Sequence, residues 1–295
     1  MQFPPHSSAG LIRFIVATRH DETAFFARSL LVRSLEGMQP CVSFQVEPTF
    51  RSSAGMAAVY NPAIESAEVG DLLVFVHDDA YVDDWFLGQR LVEGLAVFDV
   101  IGVAGALSRR PGQTAWWGLE RDGRMVVTER LTQSGAIKHV KSRGRKSIAR
   151  WIESGFTHLA VGRRAWRRRW YASPGGAYRL RPVDSEGTGE RGHRREVRHA
   201  GSGAGKLDSF GPTPAAVKML DGVFLAARAA CLKASAVRFD PRFRYHFYDL
   251  DFCRQCEAAG LRMGTWPIAI SHGSHGTWDD AWRQSAADYL VKWGS

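Results

Sequence analysis

Long apolar runs are what this 295-residue chain most clearly lacks; its strongest uninterrupted one, Leu72-Leu-Val-Phe-Val76, is only five residues. A membrane-crossing helix needs about 20 apolar residues, so no transmembrane helix is expected. Residues 1–10 have neither the basic start nor the apolar stretch of a secretory signal, and none is expected there. Cysteine is scarce as well: four residues, too scattered for a disulfide scaffold. Cys253 and Cys256 form a C-x-x-C inside an apparent helix and read as reduced, half-buried thiols. A cytoplasmic location is the expectation that follows. There is no internal repeat and no phosphate loop. Gly201-Ser-Gly-Ala-Gly-Lys206 comes near one, but Ala200 stands where that loop needs Gly, and Leu207 where a hydroxyl must hold magnesium. It reads as a flexible linker.

With 45% hydrophobic and 23% charged residues, the composition is that of a globular chain with a packed core. The net charge of +9 is concentrated in one place. Residues 141–206 hold 17 of the 39 Lys and Arg but only 5 of the 30 Asp and Glu, so the rest of the chain is slightly acidic. Within this segment, Arg163-Arg-Ala-Trp-Arg-Arg-Arg-Trp-Tyr171 interleaves basic and aromatic residues. Three readings stand: an insertion without specific function, a contact with an anionic membrane surface or charged glycan, and a nucleic-acid site. The last is the least expected.

Residues 11–105 follow a β-α-β-α-β-α-β rhythm, which predicts a mostly parallel central sheet covered by helices. Strands are expected at Leu11–Thr18, Cys41–Val46, Asp71–Val76 and Val100–Ala104. Helices are expected at Thr23–Leu35, at Ser52–Ala67 with Pro62 kinking or breaking it, and at Trp85–Phe98. Thr114–Thr128 predicts a hairpin turning at Arg121-Asp-Gly-Arg124. After the basic segment come strands at Ala215–Ala226 and Met263–Ile270, and a helix from Asp249 to Ala259 stopped by Gly260. A last helix spans Thr277–Trp293, with Thr277 and Asp280 spaced as a capping box. Trp278, Trp282, Ala286, Tyr289 and Trp293 fall on one face of it, a core stripe. The organisation expected is a first half (1–140), a basic insertion (141–206) and a second half (207–295) of one domain.

Three polar clusters carry the chemistry. His77-Asp78-Asp79 follows the buried strand 71–76, and ligands in such sheets bind beyond the carboxyl ends of the strands. Carboxylates there suit a hard divalent cation carrying a diphosphate; the bland alternative is a turn cap. The second cluster is Tyr245-His-Phe-Tyr-Asp-Leu-Asp251 at a helix start. Asp249 and Asp251 lie about 200° apart around a helix, so one site can hardly use both. Asp249, at the helix mouth, is the better general base, although acids in a first turn also serve the helix dipole. The third is Ser271-His-Gly-Ser-His275, where His272 and His275 are candidates for metal or phosphate.

In this order the clusters resemble the family 2 glycosyltransferases, over residues 11–140 and 208–293. His77-Asp78-Asp79 corresponds to that family's D-x-D motif, Tyr248-Asp-Leu-Asp-Phe252 to its E-D-x-D-L, and His272 to its late histidine. Met219-Leu-Asp-Gly-Val-Phe-Leu-Ala-Ala-Arg228 looks like the segment ahead of the acceptor site. His77 and Tyr248 depart from the pattern, each replacing an acid, while Asp79 and Asp249 keep it.

The resemblance implies a GT-A-type α/β fold and an inverting, metal-dependent transferase. A nucleotide-sugar donor, UDP-linked by analogy, would pass a hexose to a glycan or lipid-linked acceptor. It implies Mn²⁺ or Mg²⁺ held by Asp79, His77 and His272, and donor contacts from Thr18, Glu47 and Asp78. Asp249 would be the base, and Asp221 and Trp117, with Trp116 beside it, substrate contacts. A basic segment at the inner membrane face would fit a lipid-linked acceptor. The alternatives are a nucleic-acid-binding protein using residues 141–206, and a degenerate transferase that binds a nucleotide sugar without turnover.

Overall fold

The structure is a computed structural model in which residues 10–38, 44–121, 124–127, 132–140, 170–173, 176–180, 205–274 and 277–294 are described. In chain order, the elements begin with β1 (Ile12–Ala17), α1 (Glu22–Arg28), α2 (Leu30–Gly37), β2 (Phe44–Thr49) and α3 (Met56–Ser66). Next come β3 (Leu72–Val76), β4 (Ala80–Val82), α4 (Leu87–Val97), β5 (Val100–Gly102), β6 (Ala104–Ala106), β7 (Gly118–Arg121), β8 (Arg124–Val127) and β9 (Gln133–Val140). Then follow β10 (Trp170–Ala172), β11 (Tyr178–Leu180), β12 (Gly205–Gly211), β13 (Ala215–Ala216), β14 (Met219–Leu220) and β15 (Phe224–Arg228). The chain closes with α5 (Ala229–Ser235), α6 (Tyr248–Ala258), β16 (Met263–Thr265), β17 (Ile270–His272) and α7 (Asp280–Trp293).

The fold is mixed α/β, with a nine-stranded sheet in the order β10-β11-β2-β1-β3-β15-β5-β16-β13. The expectation of a mostly parallel sheet is corrected here. Pairs β1·β2, β1·β3 and β5·β16 are parallel, but β15 enters antiparallel between β3 and β5, with Phe224 opposite Val76 and Leu225 opposite Gly102. β3 is thereby paired on both edges and buried on both faces, which is why its sequence is apolar throughout. Part of the basic segment joins this sheet. Its β10 and β11 extend the sheet beyond β2, and Trp170 is buried against Phe26 and Phe44.

A second sheet, β14-β6-β9-β17-β4 with β12 also on β9, forms because three stretches expected as single strands each divide between the sheets. Val100–Ala104 breaks at Val103 into β5 and β6, and Met263–Ile270 ends at Thr265 before β17 starts. Ala215–Ala226 likewise divides into β13, β14 and β15. The expected hairpin is present, with β7 and β8 pairing Arg121 to Arg124.

The helix expected over Thr23–Leu35 is two helices. Ser29 leaves the helical conformation to cap α2 through Val32 N–H and to donate to the Asp78 carbonyl at 2.7 Å. Pro62 is accommodated inside an unbroken α3. α7 starts at Asp280, and its cap is Asp279 rather than a box from Thr277. Gly260 follows α6 at φ +73°, a left-handed stop only glycine takes without strain. Cys253 and Cys256 are free and fully buried rather than half-buried. No helix among the described residues is long and apolar enough to cross a membrane.

Candidate functional site

Two strand pairings assemble the site. β3 ends at Val76 and delivers His77, Asp78 and Asp79 into a turn fixed by His77 N–H to the Val223 carbonyl at 3.2 Å. β4 then pairs antiparallel with β17, with His272 opposite Ala80, so His272 arrives next to Asp79 from a point 193 positions later in the chain. Gly273 N–H closes the junction on the Asp79 carbonyl at 2.9 Å.

His77 Nδ1, Asp79 Oδ1 and His272 Nε2 form a triangle with sides of 3.3, 3.5 and 4.0 Å. A point equidistant from these atoms lies about 2.1 Å from each, the length of a bond from a first-row transition metal to nitrogen or oxygen. The donor set therefore fits a divalent ion. Two imidazoles and one carboxylate suit manganese, cobalt or zinc better than magnesium, which favours oxygen. The side chains are 20, 34 and 11% exposed in that order, so a ligand can reach the ion from solvent.

The charges are arranged to hold one anion in the cluster. Burial opposes ionisation of Asp79, but His272 and His77 outweigh it and keep the carboxyl well below its ordinary range. Burial and His272 lower the pKa of His77, while Asp79 overcomes burial to raise that of His272. Asp78 is pushed up by burial and held by the Thr18 hydroxyl, which donates to Oδ2 at 2.5 Å. His20 N–H in turn donates to Thr18 Oγ1 at 3.1 Å, fixing the end of β1.

Asp249 is linked to this cluster through Gly222, whose carbonyl binds the Tyr248 hydroxyl that contacts His77. It accepts from Gly222 N–H at Oδ2 and from Leu250 N–H at Oδ1, both at 2.9 Å. Burial, with Asp221 second, raises its pKa to about 7. Asp221 accepts from Trp116 Nε1 at 2.6 Å and from Val223 N–H at 2.8 Å. Trp117 packs edge-on against Trp278, with ring centroids 5.5 Å apart. Trp278 is 48% exposed, so this residue leaves the expected core stripe, whereas Trp282, Ala286 and Tyr289 are buried as expected.

Not every expected residue joins the site. Glu47 lies inside β2 and not at its end; Arg13 Nε and Nη2 hold it at 2.5 and 2.8 Å, and Gln45 at 2.6 Å. Asp251 points away from Asp249, is fully buried, and binds Lys292, Trp293 and Gln255. His275 lies outside the described residues, as do residues 201–204 of the linker reading and most of the basic segment.

Sequence reasoning gave no role to Tyr248 or Tyr245. The Tyr248 hydroxyl donates to the Gly222 carbonyl at 3.0 Å and lies 2.9 Å from His77 Nε2. Tyr245 lies beneath the Arg19 guanidinium at 5.8 Å and is 48% exposed; burial and the charges of Asp79 and Asp78 raise its pKa. Their place near the acidic helix start hinted at both, and Tyr248 also stands where the resembled motif has an acid. No protein-family model matches the chain, and no curated protein is significantly similar to it.

Proposed function

We propose that this protein is a metal-dependent, inverting glycosyltransferase of GT-A type, moving a sugar from a nucleotide diphosphate to an acceptor hydroxyl. The observation that carries the reading is the pairing of a metal-sized donor triangle at the end of β3 with a carboxylate of pKa about 7 linked to it through Gly222. The order of these groups along the chain is the order of the motifs that resemble family 2.

A divalent ion held by His77, Asp79 and His272 supplies positive charge for the departing diphosphate. The protein's own groups do the rest. The acceptor oxygen bonds to the anomeric carbon as the carbon–diphosphate oxygen bond breaks, and Asp249 takes the acceptor's proton. A pKa near 7 leaves about half of Asp249 ionised at neutral pH and makes its carboxylate basic enough to accept that proton. The N–H groups of Gly222 and Leu250 fix the orientation of its carboxylate. Asp78, held in place by the buried Thr18 hydroxyl, offers a polar edge beside the metal cluster for the donor nucleotide. Trp117 and Trp278 present aromatic rim surface for a sugar ring of the acceptor.

The test is calorimetry of the purified protein with UDP, GDP and dTDP, each with Mn²⁺, with Mg²⁺ and with chelator. One nucleotide should bind with Mn²⁺, more weakly with Mg²⁺ and not with chelator, and Asp79→Ala should abolish that binding. A folded protein that binds none of the three refutes the transferase reading.

A further inference from the structure

We infer that Tyr248 is a positioning residue that selects the tautomer of His77 and so turns the Nδ1 lone pair of that ring toward the metal site. This rests on reading His77, Asp79 and His272 as metal ligands.

The argument counts protons. The Tyr248 hydroxyl is buried between two partners, the Gly222 carbonyl at 3.0 Å and His77 Nε2 at 2.9 Å. A carbonyl oxygen can only accept, and a hydroxyl has one proton. The hydroxyl therefore donates to Gly222 and accepts from His77, which must carry its proton on Nε2. A neutral imidazole has one N–H, so Nδ1 is left as the lone-pair nitrogen. Nδ1 is the atom 3.5 Å from His272 Nε2 and 4.0 Å from Asp79 Oδ1, the corner of the donor triangle. The opposite tautomer would aim an N–H at the cation and leave the Gly222 carbonyl without this donor.

The surroundings hold the hydroxyl in place. The Tyr248 ring packs against Tyr60 and Phe239, with centroids 6.1 and 6.2 Å away. Phe247 adopts φ +64° immediately before α6 and seats its own ring on Trp282 and Tyr289. Gly222 makes room, since a Cβ there would come within 2.3 Å of the Tyr248 hydroxyl oxygen. Second-shell partners of this kind orient a histidine for its metal, and their loss typically weakens binding about 10- to 100-fold.

Two measurements decide it. Nitrogen-15 NMR of the imidazoles in metal-free wild-type protein should show His77 protonated on Nε2; protonation on Nδ1 overturns the inference without any variant. Mn²⁺ titrations should show Tyr248→Phe binding about 10- to 100-fold more weakly than wild type. In a His77→Ala background the same substitution should change nothing further. Equal Mn²⁺ affinity in wild type and Tyr248→Phe overturns the inference but leaves the metal reading standing, as does an equal loss in both backgrounds. A folded wild type that binds no Mn²⁺ overturns both.

Discussion

The backbone N–H of Gly222 donates to Asp249 Oδ2 at 2.9 Å, which ties the turn before β15 to the first turn of α6. Only glycine permits the approach: a Cβ at position 222 would come within 3.0 Å of the Asp249 Cβ as well as crowding Tyr248. The carboxylate is thus fixed against backbone, while burial and Asp221 keep it basic.

Turnover with saturating Mn²⁺ should rise as the pH increases through about 7, because Asp249 acts in its ionised form. Asp249→Asn should lower kcat by about 10²- to 10⁴-fold and leave nucleotide binding by calorimetry unchanged. Its effect on stability has the opposite sign. The folded pKa lies above the unfolded 3.8, so ionisation removes stability as the pH rises through about 7. Asp249→Asn should therefore melt higher than wild type at pH 8, a gain that shrinks as the pH falls toward 4. Equal melting temperatures at pH 8 would count against the raised pKa of this partly buried carboxyl.

Trp278→Ala should raise the acceptor KM by roughly 3- to 10-fold, the scale of one aromatic stacking contact. Donor affinity and the melting temperature should hardly move, because the ring is 48% exposed. Steady-state kinetics with the acceptor varied checks this; a change confined to the donor KM would reassign the tryptophan pair.

Asp251→Ala should cost about 3 kcal/mol of stability, since it strands groups that converge on one fully buried carboxylate. Lys292 Nζ lies 2.6 Å from it, Trp293 Nε1 2.7 Å and Gln255 Nε2 2.6 Å. Lys292 keeps Asp240 at 2.8 Å, which limits the loss. Thermal unfolding measures the cost, and Mn²⁺ affinity of the folded variant should match wild type. A lower melting temperature with turnover kept would separate this acid, which anchors α7 to α6, from Asp249 two residues earlier.

Much of the site could be read from local pattern. His77, Asp78 and Asp79 follow the most apolar strand, and a strand buried on both faces has to end in a polar turn. Asp249 and Asp251 were separable from helix geometry alone, and the structure sends them to different neighbours. Glu47 was not legible in the same way. β2 runs on to Thr49, and Arg13 on β1, which also pairs with Asp71, claims the carboxylate at a register no single strand reveals. Trp278 fits a helical stripe by spacing, but α7 begins two residues after it, so the ring turns to Trp117 instead of the core.

Local sequence by itself determined β3 and α6, which bear two of the three polar clusters, because apolar spacing, glycine stops and acidic helix starts act over a few residues. It also marked His77 and Tyr248 as the two positions where acids of a familiar pattern are missing. Only the tertiary structure decided that these two touch, and that β15 runs antiparallel through the sheet. It likewise decided that β17 sets His272 beside Asp79. The physical reason is that strand order and direction come from pairing and packing between segments nearly two hundred residues apart, and no local pattern records which partner an apolar strand will choose.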